Sequence, residues 1–178
     1  MVRTLKQSFP LGLVVIMLTS LIYIVVQQDV RTAANDPQIQ IAEDLAIRFE
    51  GGESPEFLNT MPKIDIARSL ATYASAYDSS GTLSASNAVL DGKTPTVPSG
   101  VLEYAKTHGT HTVTWQPRTG VRSAVVVVRY EGGSSGYAVV GRSLREVEKR
   151  EEQLTLQIGL GLFAMLGILL AAHKLLRV

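Results

Sequence analysis

Two uncharged apolar runs limit what this chain can become. Phe9–Val26 (FPLGLVVIMLTSLIYIVV) holds 18 residues without a charge, and Leu154–Ala172 (LTLQIGLGLFAMLGILLAA) holds 19. A helix needs roughly 20 apolar residues to cross about 30 Å of hydrocarbon, so each run has the length of a membrane span. A single run of this kind also suits the core helix of a soluble domain. Two of them, one toward each end, point to a two-span membrane protein with residues 28–153 displayed between residues 1–27 and 154–178.

Charge supplies an orientation. All 16 acidic residues lie between Asp29 and Glu152, together with 13 of the 17 basic ones, so this middle segment carries 13 − 16 = −3. The flanks hold Arg3, Lys6, Lys174 and Arg177 and no acid. Lys and Arg beside a span mark its cytoplasmic side. The expected topology is a cell-membrane protein with both termini cytoplasmic and the central domain extracytoplasmic. Arg3 and Lys6 also suit a signal peptide, but 18 apolar residues exceed the usual 7–15 of its core, and the small-residue motif Thr32-Ala33-Ala34 lies well beyond the run. A retained anchor is therefore expected. The chain has no cysteine, so an extracytoplasmic domain here rests on packing rather than disulfides.

Between the runs the pattern alternates between helix and strand. Ile39, Ala42, Leu45, Ala46 and Phe49 recur at three- and four-residue steps, the period of an amphipathic helix. Asn35 or Asp36 suits its N-cap, Pro37 its first turn, and Gly51-Gly52 its end. Ser54–Lys63 reads as a loop with room for one helical turn, and Ile64–Leu70 as a short helix or the approach to a strand. Ala71–Tyr77 and Thr82–Asn87 flank Asp78-Ser79-Ser80-Gly81, a hairpin in which Asp bonds its own backbone and Gly supplies positive φ. Asp91–Gly100 is a Pro/Gly/Thr loop. Val101–His108 reads as a helix capped by Ser99 and stopped by Gly109. Thr110–Gln116 alternates, Pro117–Gly120 turns, and the four valines of Val121–Tyr130 suggest a central strand buried on both faces. After Glu131–Gly136, a second glycine-rich turn, Tyr137–Gly141 is a last strand. Ser143 and Glu146 then have the spacing of a capping box. The fold class is α+β, with an antiparallel sheet.

The words YASAYDSSGTLSASN, HTVTWQP and SGYAVVGRSLREVEKREE, in this order between two spans, resemble the extracytoplasmic PAS-like domains, also called Cache domains, of bacterial membrane sensor kinases and chemoreceptors. The resemblance covers roughly Asp29 to Leu170 and is architectural. It implies a five-stranded antiparallel sheet backed by a long N-terminal helix. It also implies binding of a small molecule or a protein outside the cell, and a shift of the second membrane helix. Family members continue into a cytoplasmic kinase, cyclase or methyl-accepting domain. Here six residues follow Ala172, so a signal is expected to pass through the membrane helices to a partner protein.

Catalytic patterns are weak. His108 and His111 are loosely spaced as metal ligands, with Gly109 between them, and read better as a helix-end and a surface-strand histidine. No GxSxG elbow supports a Ser/His/Asp triad, and no Walker loop, GxGxxG or CxxC occurs. The expectation is a protein without catalytic activity, cofactor or metal, and one that does not bind nucleic acid, which needs a basic surface. Tyr73, Tyr77, Trp115, Arg129, Tyr130 and Tyr137 fall on the expected sheet. They are the candidate ligand-binding residues: an Arg beside Tyr or Trp can hold a carboxylate or a ring, and otherwise these aromatics are core or cross-strand pairs. Leu144, Val147, Glu151, Leu154 and Ile158 follow a 3-4 spacing. They suit a homodimer seam or packing against the helix after the first span. Gly159, Gly161 and Gly167 allow close approach of helices. The expected function is a ligand-responsive membrane sensor module acting through a partner. The alternative is an accessory or structural protein using the same domain as a protein-interaction platform.

Overall fold

The structure is a computed structural model. It describes residues 2–33, 35–132 and 134–175, without the side chains of residues 2–9, 30, 31 and 33. The flanking charges of Arg3, Lys6 and Arg177, and Ala34 of the cleavage motif, lie outside the described residues and side chains.

Apolar length makes two long helices. α1 (Val2–Ala33) has 32 residues and α5 (Arg145–Leu175) has 31, roughly 45 Å each at 1.5 Å per residue. Pro10–Asp29 and the apolar part of α5 are long and apolar enough to cross a membrane. None of the side chains in these two stretches is buried. Leu21 is 58% exposed and Phe163 81%, the reverse of a soluble core helix. α5 has no buried residue. Within this helical unit the hydroxyls of Tyr23 and Thr155 lie 3.3 Å apart.

The second unit spans Ala33–Glu146. Its first helix, α2 (Asp36–Glu50), buries Gln38, Ala42, Leu45, Ala46 and Phe49. Gln38 thus takes the fully buried place that periodicity gave to Ile39, which is half-buried. Asn35 stands at the N-cap, but its side chain makes no capping bond to the helix. A single turn, α3 (Phe57–Thr60), follows. β1 (Ile64–Asp65) then pairs in parallel with β4 (Ala88–Val89). Neither two-residue strand has a readable period. The hairpin β2 (Tyr73–Asp78) and β3 (Leu83–Ser86) forms as expected. Asp78 Oδ1 accepts hydrogen bonds from the Ser80 and Thr82 N–H groups at 2.9 Å each, and Gly81 has φ +83°.

α4 runs from Ser99 to His108 with Pro98, not Ser99, at its N-cap. β5 (Thr110–Arg118) continues through Pro117, past the expected turn, by way of an irregularity in its pairing between Trp115 and Arg118. β6 (Val121–Tyr130) and β7 (Gly136–Ser143) complete an antiparallel sheet of order β3-β2-β7-β6-β5. The valine strand β6 is interior, as read, but β7 holds the middle. Ser143 ends β7 and α5 begins at Arg145, so the expected capping box is displaced. The Ser143 hydroxyl accepts instead from the Arg145 N–H at 3.4 Å.

At β6 and β7 both faces of the sheet are buried, which explains the unalternating valines. Val126, Ala74, Ala138 and Val140 pack under α2 with Phe49 and Leu58. Val125, Val127 and Val139 pack on the other face with Leu102 and Ala105 of α4 and with Ile66, Ala88 and Val97.

Candidate functional site

Strand pairing brings four of the six candidate residues together. Tyr73, Tyr77, Tyr137 and Trp115 come from β2, β7 and β5, and all belong to the cluster on the α4 face. None is more than 8% exposed. They form packed core with two polar handles. The Tyr77 hydroxyl accepts a hydrogen bond from the Val97 N–H at 3.0 Å, which pins the Pro/Thr loop onto the sheet. Burial pushes the Tyr77 hydroxyl pKa up, and the Val97 bond offsets part of that. The Tyr73 hydroxyl faces that of Ser123, and the two close no hydrogen bond of good geometry. Desolvation raises the Tyr73 pKa strongly; Ser123 lowers it and the neighbouring Tyr77 raises it further.

The other two candidates lie elsewhere. Tyr130 points to the α2 face, with its ring 5.2 Å from that of Phe49. Arg129 sits directly opposite Tyr137, but its guanidinium is exposed and engaged, donating to the Lys106 carbonyl at 2.9 Å and pairing with Glu131. The Arg129 guanidinium is thus directed to Lys106 and Glu131.

An open groove lies beside the aromatic cluster. Leu90 and Lys93 exchange backbone hydrogen bonds around Asp91 (φ 51°) and Gly92 (φ 77°), the geometry of a tight Asp-Gly hairpin turn. The chain beyond this turn and the end of β5 border this open groove of about 710 Å³, lined among others by Lys93, Pro95, Pro98, Trp115, Gln116 and Pro117. Arg118 Nη1 donates to both carboxylate oxygens of Asp91, at 2.5 and 2.7 Å, tying the turn to β5. Trp115 belongs to both the buried cluster and the groove. Of the groove, sequence reading found only Trp115. The Asp-Gly pair and the alternating prolines of DGKTPTVP were the available signal.

The histidines serve packing. The Tyr104 ring stacks on His108 at 4.0 Å and lies 4.1 Å from His111. Their Nδ1 atoms lie 3.0 and 3.3 Å from the Tyr104 and Val101 carbonyls. Among the described residues no group of three or more His, Asp or Glu is placed to hold a metal ion.

The junction between sheet and α5 is also built. Arg142 Nε donates to the Leu70 carbonyl at 3.1 Å, and the Arg145 guanidinium donates to the carbonyls of Arg68 and Ala67 at 2.8 and 3.3 Å.

No family model, curated protein or solved structure matches the chain.

Proposed function

We propose that this chain is a two-span membrane protein with both termini cytoplasmic. It displays a PAS-like, Cache-like sensing domain outside the cell and signals through a partner protein without catalysis of its own. The observation that carries the reading is a line of register across the sheet. Trp115, at the groove, pairs with Ser123 of β6, and Ser123 pairs with Ser143 of β7. Ser143 is two residues before the start of α5. A ligand that moves Trp115 acts on the strand pair that leads into this helix. The two apolar helices and the five-stranded antiparallel sheet backed by α2 support the same reading.

Trp115 is the only tryptophan in the chain, so its emission reports on the groove directly. The full chain in detergent micelles is titrated with amino acids, small carboxylates and polyamines. A saturable change in emission, with a rise in unfolding temperature, is the expected result for at least one class. If no compound changes either signal, the ligand-sensing reading fails. The openness of the groove, bounded by a proline-rich strand of chain, favours an interaction platform as the second reading. It predicts that extended peptides change Trp115 emission where small molecules do not.

A further inference from the structure

We propose that β5 is a pairing edge through which two copies of this chain join, antiparallel and strand to strand. The sheet has two edges, β3 and β5, and they are treated differently. β3 is four residues long, and the backbone of Ser86 at its end is occupied from outside: Asn59 Oδ1 accepts from its N–H at 3.2 Å and the Lys63 ammonium donates to its carbonyl at 2.8 Å. β5 is nine residues long.

The direction of its backbone groups follows from one bond. The Arg129 N–H donates to the Gly109 carbonyl at 2.8 Å, in line with the pairing of Thr110 with Val128. Hydrogen-bonded pairs alternate along an antiparallel ladder, so His111, Val113 and Trp115 turn their N–H and C=O groups toward β6. Thr110, Thr112 and Thr114 turn theirs outward. Their side chains are exposed too, and no backbone bond to these outward groups is found among the described residues.

A row of open donors and acceptors is a template for another strand, and proteins usually blunt it with charge, proline or a bulge. Here Thr110–Gln116 carries no Lys, Arg, Asp or Glu. Proline and the pairing irregularity come only at Pro117, beyond the open stretch. Complementarity selects a second copy as the occupant. Two antiparallel copies of this segment present the same donor–acceptor alternation to each other across a two-fold axis. Threonine opposes threonine, which is a favourable cross-strand pair, and no like charges meet.

The test uses the full chain in detergent micelles. Because the chain is free of cysteine, Thr110→Cys, Thr112→Cys and Thr114→Cys are made singly, with Ser80→Cys in the β2–β3 turn as control. Under mild oxidation, at least one of the three is expected to give a covalent dimer well above the control. Thr112→Pro, which removes only an outward N–H, and Thr112→Lys are each expected to halve the protein mass per micelle, measured by light scattering with absorbance to subtract the detergent. Their unfolding temperatures should stay close to that of the parent; if the proline variant unfolds, the lysine variant decides. A monomeric parent chain overturns the proposal. So does a dimer that persists in both Thr112 variants without an edge cross-link, since that assigns association to another surface.

Discussion

Tyr73 lies directly opposite Gly141 in the β2–β7 ladder, and its ring occupies the space that a Cβ at 141 would need. Such a Cβ would stand 2.8 Å from Tyr73 Cε2 and closer still to Cζ and the hydroxyl oxygen. Glycine inside a strand often marks such a close approach. Gly141→Ala forces the buried ring, 2% exposed, against its neighbours. Overpacking of this kind costs about 1–3 kcal/mol, and denaturant unfolding of the full chain in micelles should show a loss of that size. An unchanged midpoint would mean that the ring has a second resting place.

The same ring makes stability depend on alkaline pH. Burial raises the Tyr73 pKa strongly, and those of Tyr77 and Tyr130 as well. The unfolded chain then releases tyrosine protons from about pH 10 while the folded chain retains them, so the stabilisation is complete below that pH and is lost as pH rises above it. The unfolding temperature should fall above about pH 10. Tyr73→Phe should flatten that fall. At neutral pH it should cost little, because the hydroxyl it removes closes no good hydrogen bond and removing such a group approaches neutrality.

How far the sequence carried these conclusions depended on whether a feature was local. The face of α2, the Asp78 turn and the doubly buried valines of β6 rest on short-range periodicity or on one residue's own turn chemistry. All three stand in the fold, with Gln38 rather than Ile39 fully buried on α2. The boundaries at Ser99 and Ser143 were missed because Pro98 and the strand β7 take the positions those serines would cap. Alternation within a strand was also legible, as Val113 and Trp115 share a face. Which face of one strand matches which face of another was not. That requires the register between strands, and it separates Tyr130 from the other aromatics. The groove escaped for a related reason: it joins the Asp91 turn to the end of β5, 27 residues apart at the Asp91–Arg118 pair.

Tyr77 holds the loop through the Val97 N–H, and both groups are buried. Tyr77→Phe leaves that donor without a partner, at a cost of about 1–3 kcal/mol. The effect should be local as well as global. Hydrogen exchange at the Val97 amide should accelerate more than exchange along β6. Equal acceleration at both sites would show that the loop is held by packing rather than by this bond.

Arg142 and Arg145 fasten the β7–α5 junction to the carbonyls of residues 67, 68 and 70. Both side chains are solvent-accessible, so each bond contributes little to global stability, about 1 kcal/mol or less. Their effect should appear instead in the segment they clasp. The double variant Arg142→Ala/Arg145→Ala should keep its unfolding temperature within a few degrees of the parent while amides near residues 67–72 exchange faster. If the proposed route from the groove through β7 is correct, the variant should still show the ligand-dependent change in Trp115 emission. It should lose any ligand-dependent change in a fluorophore placed at the start of α5. Retention of both changes would separate this clasp from signalling and leave it a purely local brace.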